Sequence, residues 1–121
     1  MSNVVKKHSD IILRIGLSEE NVPNSIEWKA DENPESQNFQ ASKAFLLSLF
    51  DGETKDTLKI DLWTEDFQVA EMDSFMYQTL RGLVDTYQKA TKNDKMASAF
   101  KQFVQFFGEE TELLPKAQEP K

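Results

Sequence analysis

The sequence predicts an α+β fold, in which a four-stranded antiparallel meander sheet is followed by two C-terminal helices packed on one face. Apolar residues alternate through the first half of the chain and recur every three or four residues from Val69 onward. With 121 residues and 39% hydrophobic residues, the chain has material for one core. We therefore expect a flexible arm at 1–8, a single α+β domain at 9–108 and a disordered tail at 109–121.

Four strands are predicted from period-two alternation and from the turn residues between them. Their expected ranges are 11–17, 25–31, 39–50 and 57–63. The third segment begins with alternation but ends as Phe45-Leu46-Leu47-Ser48-Leu49-Phe50, which is apolar on both parities. Such a segment is expected to be one long central strand or to have a second buried face, although a helix over 41–49 is also open.

The helical region begins at Val69, where a broad apolar stripe predicts a helix ending near Thr91. A second helix is expected to begin at Asn93 or Asp94 and to stop at Gly108. Its aromatic stripe is assigned to the core, with Phe106 on the flank and partly exposed. The members of that stripe are Met96, Phe100, Phe103, Val104 and Phe107.

One side of the predicted sheet has the residue types of an interaction surface. If Ile60 and its same-parity neighbours Leu58 and Leu62 face the helices, then Trp63 faces away from them. By strand parity Ile12, Leu46 and Phe50 would join it, and Phe106 adds an exposed aromatic group on the second helix. A large cluster of this kind on an uncovered sheet face indicates association with a second copy or with another protein.

The residues needed for catalysis are scarce, so we expect no enzyme, no cofactor and no metal site. There is no cysteine, His8 is the single histidine and lies in the predicted arm, and the four glycines are scattered. The acidic turn formed by Asp61, Glu65 and Asp66 could hold an ion, but a solvated turn at a helix start is the preferred interpretation.

The net charge and the apolar runs limit the partners and the compartment. A formal charge of −7 opposes binding to phosphate backbones, so nucleic acid is not an expected partner. No apolar run approaches the roughly 18 residues that a membrane span requires, and residues 1–7 lack the apolar stretch of a secretory signal. With no cysteine present, these features favour a cytoplasmic protein.

Several segments, in the same order along the chain, resemble the gliding-motility GldC family of Bacteroidota. The resemblance covers roughly residues 10 to 108. Its most specific part is Ile60-Asp61-Leu62-Trp63-Thr64. The other segments are Asn21-Val22-Pro23 before Ile26-Glu27-Trp28, Lys43-Ala44 through Leu47-Ser48-Leu49-Phe50-Asp51, Gln78-Thr79-Leu80 through Asp85-Thr86-Tyr87, Ala90-Thr91 and Met96-Ala97. The sequence departs from the family in its longer tail with prolines and in Gln68 before the long helix.

The resemblance implies a soluble, cytoplasmic, non-enzymatic accessory protein of the gliding machinery and of the secretion apparatus associated with it. No catalytic residue of this sequence is implied by the resemblance. The expected partners are proteins of that machinery, or a second copy bound through the uncovered sheet face. Two other functions stay open: a SecB-like export holdase, whose strands and two helices have a similar outline, and a single-stranded nucleic-acid module.

Overall fold

The computed structural model describes residues 3–32 and 38–116. These residues form two compact units, one ending at Phe67 and one beginning at Gln68, with the strands in the first and the helices in the second. The α+β class is confirmed. The four-stranded meander is wrong, because five strands form two antiparallel sheets. The division into domains stays a prediction, and so does the packing of the helices on one sheet face. Of the expected arm and tail, residues 1–2 and 117–121 lie outside the described residues.

The first unit contains five strands in two sheets. A three-stranded sheet has the order β1-β2-β3, with β1 at Ile11–Leu17, β2 at Pro23–Ala30 and β3 at Gln40–Ser42. A two-stranded sheet contains β4 at Ala44–Phe50 and β5 at Thr57–Trp63. The second unit contains α1 at Val69–Thr91 and α2 at Asp94–Glu110.

The alternation in β1 and β2 gives the three-stranded sheet one apolar face. Antiparallel pairing sets each β1 residue opposite one β2 residue, from Ile11 opposite Ala30 to Ile15 opposite Ile26. Opposed residues share a face, so the apolar residues of both strands lie together. We call this the Ile26 face; its members from β1 and β2 are Ile11, Leu13, Ile15, Ile26, Trp28 and Ala30, and β3 adds the polar residues Gln40 and Ser42. Ile26 is 1% exposed, which makes it the most buried large side chain of the described chain.

The opposite face of the three-stranded sheet is polar, and two of its basic side chains lie over an aromatic ring. The Arg14 guanidinium lies 3.9 Å from the centroid of the Phe39 ring, and the Lys29 ammonium lies 5.0 Å from it. A cation over an aromatic face is attracted by the ring quadrupole. Phe39 therefore draws both basic side chains toward β3 and away from the free edge at β1.

The predicted long strand at 39–50 breaks at Lys43, which is the reason the meander prediction fails. Before the bend the chain pairs with β2, with Ser42 opposite Ile26, and after it the chain pairs with β5, with Ala44 opposite Trp63. At the bend, the Lys43 carbonyl oxygen accepts a hydrogen bond from the Thr64 N–H at 2.8 Å. Alternation specifies which way a side chain faces, but it does not specify the strand that pairs with it.

The β4–β5 hairpin is closed by its own side chains and backbone. The Asp51 carboxylate accepts hydrogen bonds from the N–H groups of Glu53 and Thr54, at 2.8 and 2.9 Å. The Asp51 N–H in turn donates to the carbonyl oxygen of Asp56 at 2.9 Å. This Asx-type turn fixes the register of the hairpin, and with it the face on which each β5 side chain lies.

The helix boundaries follow from end groups that the sequence contains. The Gln68 N–H donates to the Glu71 side chain at 3.0 Å, which begins α1. Lys92 adopts the left-handed conformation that ends it, as the sequence predicts for a helix over 69–91. The Asn93 side chain then accepts from the Met96 N–H at 3.0 Å and caps α2.

The prediction that the second helix ends at Gly108 is wrong. The helix continues to Glu110, and Gly108 is buried within it. A Cβ at position 108 would lie 2.6 Å from Leu114 Cδ1 and 2.9 Å from the Tyr77 ring. Glycine is needed here for close packing, and the chain returns over it because the N–H groups of Leu113 and Leu114 both donate to the Gly108 carbonyl oxygen.

Replacing Gly108 by alanine should lower the free energy of unfolding by about 1–3 kcal/mol, because the new methyl group overlaps Leu114 and Tyr77. Gly82 is the matched control. A Cβ there meets nothing within 4 Å, so Gly82→Ala should raise the free energy of unfolding by about 0.5–1 kcal/mol through helix propensity. Urea denaturation measures both, and equal stabilisation by the two substitutions would contradict the packing described.

Candidate protein-interaction surface

Register places three of the predicted interaction residues on one face of the two-stranded sheet. In the ladder Ala44 lies opposite Trp63, Leu46 opposite Asp61 and Phe50 opposite Thr57. Opposed residues and every second residue share a face. We call it the Trp63 face; its members are Ala44, Leu46, Ser48 and Phe50 of β4 and Thr57, Lys59, Asp61 and Trp63 of β5.

The Trp63 face is apolar at its ends and charged in its middle. Trp63 is 50% exposed and has Leu46, which is half-buried, as its diagonal neighbour. Phe50 is 67% exposed but lies at the hairpin end, about 20 Å away at the ordinary rise of a strand. Between them the Lys59 ammonium and the Asp61 carboxylate form an ion pair at 2.7 Å. The aromatic anchor is therefore the end that contains Trp63 and Leu46.

The other face of the two-stranded sheet is entirely apolar, as the sequence predicts. It is more exposed than the sequence predicts. Its cross-strand pairs are Phe45–Leu62, Leu47–Ile60 and Leu49–Leu58, and we call it the Ile60 face. Ile60 remains 40% exposed and Leu58 59% exposed. Alternation marks a face as apolar but gives no measure of how completely it is covered, so this exposure could not be read from the sequence.

Two of the predicted interaction residues lie elsewhere. Ile12 is on β1 of the three-stranded sheet, opposite Lys29 and on the polar face with Arg14. Phe106 is on α2 in the second unit, where it is exposed as predicted. The structure therefore places three of the five residues on one face but brings only Trp63 and Leu46 close together, and Ile12 belongs to a different sheet from them.

The prediction that the aromatic stripe of α2 lies in the core is partly wrong. The buried residues of α2 are small or β-branched: Ala97, Val104 and Gly108. Phe103 and Met96 of the predicted stripe stay about half-exposed. Phe103 instead contacts two neighbouring rings of the same helix in tilted geometry, with its ring centroid 6.4 Å from that of Phe106 and 6.3 Å from that of Phe107.

A groove between α1 and α2 has mostly polar walls. Arg81 and Asp85 of α1 face Lys101 and Gln105 of α2 across it. The Arg81 guanidinium lies 5.7 Å from the centroid of the Tyr77 ring. Neither histidine nor serine lines the groove among the described residues.

A family comparison supplies the identity that this geometry alone does not. The model of the GldC-like family, described as gliding motility-associated protein GldC-like, matches residues 23–113. The chain belongs to this family. The match spans β2 through α2, and so includes the Lys43 bend and the Trp63 face. No curated protein and no solved structure matches the chain. Neither described helix is long and apolar enough to cross a membrane.

The acidic turn of this GldC-like chain does not gather its carboxylates. Asp61 pairs with Lys59 on the Trp63 face, whereas Asp66 lies 3.8 Å from the Lys43 ammonium. Within residues 3–32 and 38–116, no three acidic or histidine side chains come close enough to hold a metal ion. The turn acts as a connection between β5 and α1.

Asp66 is held instead by a buried hydroxyl. Thr64 is 4% exposed, and its Oγ1 donates a hydrogen bond to Asp66 Oδ1 at 2.5 Å. This hydrogen bond lowers the pKa of Asp66 below its ordinary value, Lys43 lowers it further, and desolvation opposes both. The bond also satisfies the one buried polar side chain of the described chain.

Replacing Thr64 by valine, which has a similar shape, should raise the pKa of Asp66 toward its ordinary value. Because the pKa in the folded state is lowered, the Asp66 interaction stabilises the fold fully above the unfolded-state pKa. That contribution is lost as the pH falls through the folded-state pKa. Carbon-detected NMR titration of the Asp66 carboxyl group measures the shift. Lys43→Met should raise the same pKa less, and an unchanged Asp66 titration in Thr64→Val would contradict the assignment.

The two faces of β5 should respond differently to truncation. Ile60→Ala should lower the free energy of unfolding by about 1–2 kcal/mol, less than for a fully buried residue because Ile60 is 40% exposed. Lys59→Ala on the Trp63 face removes only an exposed ion pair and should change stability by less than about 0.5 kcal/mol. Thermal and urea unfolding give both values. A Lys59 effect as large as that of Ile60 would show that the β4–β5 register is wrong.

Proposed function

We propose that this GldC-like protein is a non-enzymatic, cytoplasmic accessory component of the gliding-motility machinery and of the secretion apparatus associated with it. Membership of the GldC-like family is the observation that carries the proposal. The protein acts by binding another protein of that machinery. The absence of cysteine agrees with a reducing cytoplasm.

The Trp63 end of the Trp63 face is the surface through which it binds. Interface energy is concentrated in a few residues, among which tryptophan is enriched, and in a surrounding rim that excludes water. Trp63 with Leu46 and Ala44 supplies such an anchor, and the ion pair of Lys59 and Asp61 beside it supplies a polar rim. A partner that fits this surface has an apolar group for the indole and polar groups for the charged neighbours.

An export holdase related in outline to SecB is a second candidate, and the Ile60 face favours it. Its six apolar side chains, partly exposed at the hairpin end, would suit an unfolded apolar client. Suppression of client aggregation at stoichiometric ratio would support this candidate. It would be excluded if aggregation of a denatured client proceeded unchanged. A nucleic-acid role has no comparable observation behind it.

Trp63→Ser should abolish function while the fold persists, because the side chain is half-exposed. In a strain that lacks the gene, the wild-type copy should restore colony spreading and the Trp63→Ser copy should not. Leu83→Ser, at a similarly exposed apolar position on α1, is the matched control and should restore spreading. Circular dichroism checks that each variant is folded.

Affinity capture with quantitative mass spectrometry gives the molecular readout for the same variants. Partners that wild type and Leu83→Ser retain should be depleted from the Trp63→Ser sample. If the Trp63→Ser strain glides normally and captures the same proteins, the Trp63 face is not the functional surface. The exposed Phe106 on α2 would then be the next surface to test.

A further inference from the structure

The free edge of β1 has a row of backbone groups that no described residue pairs. The Asp10 carbonyl oxygen accepts a hydrogen bond from the Asp31 N–H at 3.1 Å, and the Asp10 N–H donates to the Asp31 carboxylate at 3.0 Å. Both backbone groups of Asp10 thus face β2. Since this direction alternates along an antiparallel strand, Ile12 and Arg14 also point to β2, whereas Ile11, Leu13 and Ile15 point outward.

The β1 edge lacks the features that usually prevent an exposed strand from pairing with another chain. Edge strands are normally blocked by lysine, proline, an inward charge or a bulge. β1 has none of these over 11–15, and its irregularity comes only between Gly16 and Leu17. Its one charged residue, Arg14, is drawn over Phe39 and away from the edge. Ile11 is 76% exposed although it lies on the Ile26 face.

We propose that β1 pairs antiparallel with β1 of a second copy, about a two-fold axis through Leu13. The pairing joins two three-stranded sheets into one of six strands. Leu13 lies opposite Leu13 of the second copy, and Ile11 lies opposite its Ile15. The three outward residues of each copy then exchange backbone hydrogen bonds with the outward residues of the other copy, because opposed residues of an antiparallel pair join N–H to C=O in both directions. The inference is independent of the proposed function.

The register is selected by charge and by strand length. An axis through Arg14 would place the two Arg14 residues directly opposite each other, which is unfavourable. An axis through Ile12 would place Ile15 opposite Ser9, outside the strand. With the axis through Leu13, Arg14 lies opposite Ile12 of the second copy. Its two diagonal neighbours in that copy are Asp10, with the opposite charge, and Arg14, so the like charges are farther apart than in direct opposition. Aliphatic side chains of both copies form one row on the Ile26 face.

The small area of this interface is typical of weak association. Pairing of about five residues from each copy buries less than the roughly 1,200 Å² of a stable interface. We therefore expect a dimer whose dissociation constant lies at roughly 10–100 µM. Sedimentation equilibrium of the full chain across that range measures it.

Ile11→Pro tests the backbone pairing. Its N–H points outward, so proline removes a donor from the dimer and leaves the β1–β2 ladder intact. The dissociation constant should rise at least about tenfold, because both symmetry-related bonds are lost. Ile11→Thr keeps the N–H and should raise it only about threefold. Val69→Thr, at a position 80% exposed on α1, should leave it unchanged.

Amide hydrogen exchange of the wild type gives a readout that separates edge pairing from association through a sheet face. The amides of Ile12 and Arg14 should be protected at every concentration, since they bond to β2. Those of Ile11, Leu13 and Ile15 should exchange fast when dilute and become protected as the protein is concentrated. A wild type that stays monomeric to about 1 mM, an Ile11→Pro constant equal to that of wild type, or no concentration-dependent protection of these three amides would overturn the proposal.

Discussion

The change of pairing partner at Lys43 is the constraint on which the first unit depends. Backbone N–H and C=O groups that are buried need hydrogen-bond partners. Here one continuous segment pairs with β2 up to Ser42 and with β5 from Ala44. The result is two small sheets in place of one larger sheet. A two-stranded sheet is marginal in isolation, so the β4–β5 hairpin needs contacts on its faces as well as its ladder. Its apolar side chains therefore contribute to the stability of the hairpin.

The sequence predicts the elements of this fold well because each depends on local periodicity. Alternation in 11–17 and 57–63 and the three- and four-residue spacing from Val69 to Thr91 correspond closely to strands and a helix. The common face of Leu46, Phe50 and Trp63 also follows from parity within β4 and β5. The bend at Lys43 does not, because parity is defined only along an unbroken strand. For the same reason Ile12, on another sheet, could not be grouped reliably with Trp63.

The second helix shows where hydrophobicity alone misleads. Phe100, Phe103 and Phe107 recur at helical spacing, so they resemble a core stripe. The buried residues are instead Ala97, Val104 and Gly108, which are small or β-branched. Gly108 suggests the end of a helix because glycine is common just after the last helical residue. In this structure it lies within α2, where a Cβ would overlap Leu114 and Tyr77.

The β1 edge and the Trp63 face belong to different sheets and use different groups. Edge pairing uses backbone hydrogen bonds at 11–15, whereas the Trp63 face offers an indole with its ion pair of Lys59 and Asp61. A dimer formed through β1 therefore keeps two Trp63 faces. Two identical sites on one body bind a partner that is displayed in several copies more tightly than one site does, without any new contact. A single soluble partner gains nothing from the second site. In the proposed arrangement the Trp63 face would determine which partner is bound, and the weak β1 dimer would make the strength of binding depend on protein concentration.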